Sequence, residues 1–152
     1  MNTEHRTLPP ELLLEEYRRL LQNDRVEALP LVISGSSMTP FLVHGRDTVY
    51  LENPRDKLKR GDMVLYRRTG GRYILHRICR ISGDSFTMIG DAQTQREPGI
   101  TRDQILARVT AVRRKGKLLQ KGSFLWYFFE KHWIRMIPLR RAALAVYRCL
   151  KK

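Results

Sequence analysis

Apolar positions recur along this chain with two different periods, and the change of period divides it into three stretches. In PPELLLEEYRRLLQN, residues Leu13, Tyr17, Leu20 and Leu21 fall at i, i+4, i+7 and i+8, one face of a helix. Pro9 and Pro10 stand where the first turn would begin, a place that loses nothing by lacking an amide donor. The pattern predicts a single amphipathic helix ending near Asn23, the N-terminal unit of residues 1–28. From Leu29 the period shortens to two: LPLVISG, DTVYLE, DMVLYRR, RYILHRICRI, SFTMIG and ILARVTAVRR read as short strands. They are separated by turn-forming runs such as ENPRDKLKRG, TGG, SGD and DAQTQREPG. Residues 29–112 are therefore expected to form a compact, mainly antiparallel β domain with flanking helices. In 113–152 helical spacing returns, divided by Pro138. Trp126, Phe129, Trp133 and Ile137 share one face of its first part, and Leu139, Ala143, Val146 and Leu150 one face of its second.

Charge alters the picture of the last stretch. The 152 residues carry a net charge of +14. From Ala111 onward there are 12 basic residues and a single acid, Glu130, a net of +11. A near-neutral body with a strongly basic, aromatic tail fits two readings. The tail lies on an anionic membrane surface, or it forms a helical hairpin on the sheet with its charges in water. Nucleic acid is not expected as a partner. The tail's aromatics are spaced for a helix face, not spread over a sheet for stacking on bases, and one N-terminal helix is too little for a helix-turn-helix. The first residues hold no apolar stretch ahead of their charges, and the longest apolar run, Phe124 to Phe129, is far short of a span. A cytoplasmic protein with peripheral membrane attachment at most is the expectation. Cys79 and Cys149 are read as free thiols, and the four histidines have no metal-site spacing, so no metal or cofactor is implied.

Three short segments carry candidate chemistry. Ser34-Gly35-Ser36-Ser37-Met38-Thr39-Pro40 follows a strand directly, so Ser37 has an exposed hydroxyl and neighbouring amides free to face a carbonyl. In RYILHRICRI, His76 shares a strand face with Ile74 and Ile78, while Tyr73, Leu75, Arg77 and Cys79 point the other way. A partly buried neutral imidazole suits either a satisfied core histidine or the general base for a serine. Met88-Ile89-Gly90-Asp91 runs a strand into a turn with a carboxylate, a turn former or the group that orients His76.

Taken in order, these segments resemble the signal peptidase I family and the related LexA-like serine peptidases. The Ser-Met-x-Pro box of that superfamily is matched by Ser37-Met38-Thr39-Pro40, and its following Gly-Asp box by Gly61-Asp62. The His-Arg pair of its histidine branch is matched by His76-Arg77, and the downstream Gly-Asp by Gly90-Asp91. The resemblance covers about Leu29 to Val112. It implies a serine endopeptidase with Ser37 as nucleophile, His76 as base and Asp91 as the third member. Gly35, Ser36, Met38 and Pro40 would surround the oxyanion and substrate, and the substrates would be signal or leader peptides bound as extended strands. Two positions depart from the family pattern. The downstream box reads GDAQTQREPG, so its distal acid is missing unless Glu97 substitutes, and Gly35 stands where a serine often assists the oxyanion hole. The family's transmembrane anchor is also lacking. A different class of reading has the chain as a non-catalytic membrane- or nucleic-acid-binding module on a peptidase-like scaffold. A self-cleaving LexA-like repressor ranks third, since histidine replaces that branch's lysine base.

Overall fold

A computed structural model of the protein describes residues 10–23 and 26–152. Pro9, His5 and the rest of 1–9 lie outside the described residues, as do positions 24 and 25 of the N-terminal unit. Helix α1 (Pro10–Gln22) forms where the leucine spacing predicts it. Leu21 is buried, and Leu14, Tyr17 and Leu20 pack on the main core, so tertiary burial supports a helix too short to persist alone. The Tyr17 hydroxyl donates to the Pro30 carbonyl at 2.7 Å, and the Tyr73 hydroxyl to Glu15 at 2.6 Å.

The body is an antiparallel sheet of eight strands: β1 (Leu29–Val32), β2 (Thr48–Glu52), β3 (Met63–Arg67), β4 (Tyr73–Ser82), β5 (Ser85–Ile89), β6 (Glu97–Thr101), β7 (Ile105–Arg114) and β8 (Lys117–Gln120). Their order is β1-β2-β7-β3-β4-β5-β6, with β8 paired to β7. All six predicted strands are present. Two more, β6 and β8, occupy EPGIT and KLLQ, stretches too rich in turn formers or too short to show alternation. The boundary expected at 112 falls inside β7, and β8 lies beyond it, so the sheet runs on into the supposed tail.

Alternation along the strands sorts their side chains into separate cores. Leu65 and Leu75 join the large cluster with Phe41, Leu42, Val49 and Val112. Val64, Tyr66, Ile78, Phe86 and Met88 form a second cluster, with Ile74 packed against it. The C-terminal segment closes over the first cluster. It begins with α2 (Phe124–Tyr127), continues through a wide π-type turn at Phe128–His132 and short 3-10 turns, and ends in α3 (Arg140–Leu150). Trp126, Phe129 and Trp133 are buried, as their shared face requires, with Phe41 stacked 4.9 Å from the Phe129 ring. These aromatics are core residues rather than a membrane-facing stripe. In α3 the outcome departs from the periodicity. Arg140 and Leu144 are buried and Ala143 of the expected apolar face packs on the core, while Leu139, Val146 and Leu150 of that face are exposed. The helix is rotated because Arg140 is drawn in by carbonyls of the 90–93 loop and of Trp133. Cys79 is buried and Cys149 exposed, both free. No helix among the described residues is long and apolar enough to cross a membrane.

Candidate active site

Ser37 is held on a turn that leaves β1 and is fastened at several points. The Ile33 amide donates to Asp47 O at 2.9 Å, and Gly45 N to Ile33 O at 2.8 Å. Buried Met38, Phe41 and Leu42 anchor the far side. Gly35 has φ +87°, a left-handed conformation that glycine adopts without strain, and its amide donates to His44 Nδ1 at 2.9 Å. Gly35 N is thereby occupied. The Ser36 and Ser37 amides, like those of Ser34 and Met38, donate to no protein acceptor among the described residues. The Ser37 carbonyl accepts Ala92 N at 2.8 Å and lies 2.6 Å from where a Cβ on Gly90 would be. Only glycine at 90 lets the two loops approach this closely.

His76 enters the same region from β4, paired opposite Val64 of β3. The residue is 3% exposed, and its Nδ1 lies 3.2 Å from the Tyr66 hydroxyl. Tyr66 in turn donates to Glu97 Oε2 at 2.6 Å, and Arg68 grips both oxygens of Glu97 through its Nε and Nη2, each at 2.9 Å. The Arg68 guanidinium holds Glu97 below the usual carboxylate range, so it is ionised. Burial, followed by the Glu97 carboxylate, pushes Tyr66 well above the ordinary phenol value, so it keeps its proton. That proton goes to Glu97, and the contact with His76 is therefore Nδ1–H donating to the tyrosine oxygen. The network thus assigns the tautomer and leaves the lone pair on Nε2. Burial first, and then the Arg68 charge, lower the His76 pKa to about 4, opposed by Glu97 and Asp91. The ring is neutral at pH 7.

Ser37 and His76 wall a single groove of about 530 Å³. Leu13 and Leu14 of α1, Leu31 and Leu75 line it with apolar side chains, and Glu11, Arg68, Arg72 and Gln93 with polar ones. Among the described residues no hydrogen bond joins Ser37 Oγ to His76, and Nε2 has no protein partner.

Asp91 lies on Arg77 and not on His76. Buried Asp91 accepts from Arg77 Nε at 3.0 Å and Nη2 at 2.9 Å, and is not bonded to His76. Arg77 also donates to Gly61 O at 2.9 Å, so the arginine of the His-Arg pair ties the two Gly-Asp boxes together from the opposite face of β4. Asp91 O accepts the Trp133 indole at 2.8 Å. Glu97, noted in the sequence only as a substitute acid, is the carboxylate that reaches His76, through Tyr66. Met38 is a buried anchor and Pro40 a half-buried one; Ser36 is exposed beside the groove. Sequence reasoning missed Tyr66, Arg68 and Arg140. Tyr66 and His76 both sit beside residues of the second core, a signal that strand alternation could have supplied had the β3–β4 register been known. Arg140 could not have been found, since its partners are backbone carbonyls: Gly90 O at 2.9 Å, Gln93 O at 2.8 Å and Trp133 O at 3.1 Å. No protein-family model, curated protein or solved structure matches this chain.

Proposed function

We propose that this protein is a serine endopeptidase of the signal-peptidase-I kind, cutting signal or leader peptides. The observation that carries the reading is the pairing, in one groove, of Ser37 with a neutral His76 whose Nε2 is left free. Ser37 Oγ attacks the scissile carbonyl carbon while its proton passes to His76 Nε2. The carbonyl oxygen becomes an oxyanion facing the Ser36 and Ser37 amides. Collapse breaks the C–N bond, and His76 gives its proton to the leaving amine. Water then attacks the acyl-serine, His76 takes the water's proton, and it returns that proton to Ser37 as the acid product leaves. Throughout, Nδ1–H stays on the Tyr66 oxygen, and Glu97 supplies through Tyr66 the orientation expected of Asp91. No step calls for a cofactor. The resemblance implies small residues before the cut.

The test is labelling by a fluorophosphonate probe together with cleavage of an extended-peptide library. Ser37→Ala and His76→Ala should each abolish both with melting curves preserved, and the double variant should be no worse than either single one. Undiminished cleavage by Ser37→Ala would sink the reading. The absence of a Ser37–His76 bond favours a second reading, a peptide-binding module with an inert site. It expects Ser37→Ala to bind peptide as the parent does, with no turnover by either.

A further inference from the structure

Helix α3 has apolar side chains on two sides, and only one of them meets the protein. At 100° per residue, Arg140, Ala143, Leu144 and Tyr147 define the inward side. On the outward side lie Leu139, just before the helix, and Ala142, Ala145, Val146, Cys149 and Leu150. Together they make an apolar sector about 140° wide. Its largest members are well exposed: Leu139 at 60%, Val146 at 59% and Leu150 at 82%. Arg148, Arg141 and Lys152 follow one another along one border of that sector, and all three are exposed. None of them, nor Arg135 or Lys151, makes an ion pair among the described residues. Two other cations of the segment are occupied, Lys121 by Asp62 and Glu130, and Arg114 by the Phe41 carbonyl.

We propose that the outward face of α3 docks on the surface of an anionic lipid bilayer. Charge complementarity selects this occupant. Arg141, Arg148 and Lys152 stand beside the apolar sector, not within it, so Val146 and Leu150 would enter the acyl boundary while these three stay among headgroup phosphates. A second copy of the chain would set the same arginines against one another. A nucleic acid would satisfy the charges and leave the apolar sector uncovered. The indoles of Trp126 and Trp133 take no part, because both are buried.

The full chain should sediment with phosphatidylglycerol-containing vesicles and not with pure phosphatidylcholine ones. Raising salt from about 0.1 M to about 0.5 M should weaken this by about tenfold or more. Val146→Asp and, separately, Leu150→Asp should each lower vesicle binding by about tenfold with unchanged melting curves, since both sites are solvent-facing. Arg141→Glu combined with Arg148→Glu should do the same. Ser37→Ala should bind as the parent does, which keeps this test independent of any peptidase activity. Equal binding to neutral vesicles, or parent-like binding by Val146→Asp, would overturn the proposal. So would a dimer in light scattering that Val146→Asp dissolves, or duplex DNA binding tighter than vesicle binding.

Discussion

Consecutive residues of β4 open into two polar regions on opposite faces of the strand. On one face Arg77 commits all three of its nitrogens to the fold: Nε and Nη2 to Asp91, Nη1 to Gly61 O, with its guanidinium carbon 5.6 Å from the centre of the Phe41 ring. On the other face His76, Tyr66, Glu97 and Arg68 form a chain of the same kind, also anchored by a two-pronged arginine–carboxylate contact. The Arg77 region is closed and dry, both its charges at 1% exposure or less. The His76 region ends on a ring nitrogen with no protein partner, at the wall of a groove. A closed buried network fixes how the loops lie against each other. A network short of one partner at a cavity leaves a group that can take up a proton from something else.

The sharpest way to break this comparison is to open the closed side. Arg77→Met strands the Asp91 carboxylate in the core and should cost about 3–5 kcal/mol, read as a lowered denaturant midpoint at unchanged slope. Adding Asp91→Leu should restore part of that loss. A near-neutral Arg77→Met would mean that Asp91 is not held as described.

Removing the support of the open side should act on rate more than on stability. Tyr66→Phe takes away the acceptor for His76 Nδ1–H, so the ring no longer has one tautomer. The expected loss is about tenfold or more in kcat at constant KM, with about 1–2 kcal/mol of stability. A Tyr66→Phe protein with full kcat would separate Glu97 from the site.

The smallest effect is the most diagnostic of burial. In the proposed mechanism His76 acts as a base only when unprotonated, and its pKa lies at about 4. The acidic limb of kcat/KM should therefore rise near that value and not near 6.5, the ordinary histidine value. The same shift affects folding. Between pH 6.5 and 4 the unfolded chain binds a proton at this ring that the folded chain does not, so stability falls as pH is lowered through that window. Carbon-13 histidine NMR checks both, and a His76 titrating near its ordinary value would show a solvated ring.

Much of the architecture was legible along the chain. The α1 periodicity, six strands and the two glycine-centred turns near Ser37 and Asp91 follow from local rules of spacing and backbone freedom. Strand β6 was hidden because Pro98 and Gly99 belong to turn vocabulary, and pairing with β5 outweighs that preference. Gly90 was legible as a turn residue. That it exists to admit the Ser37 carbonyl required two loops in space. His76 was legible as half-buried, whereas its carboxylate was not. Asp91 is nearer to the histidine in sequence and in family pattern, yet strand alternation puts Arg77, on the opposite face, in front of it.

Local sequence, then, determined the elements, their inward faces in the sheet, and a serine and a histidine of suitable chemistry. Tertiary structure decided three things that depend on partners far apart in the chain. The β3–β4 register brought Tyr66 to His76, the β5–β6 return brought Glu97 to Tyr66, and loop carbonyls drew Arg140 inward. The last of these turned α3 so that its more apolar face meets solvent. Hydrophobic period ranks the faces of a helix by composition alone. A buried guanidinium whose donors find three carbonyls can outweigh that ranking, because an unsatisfied polar group in the core costs more than an exposed valine.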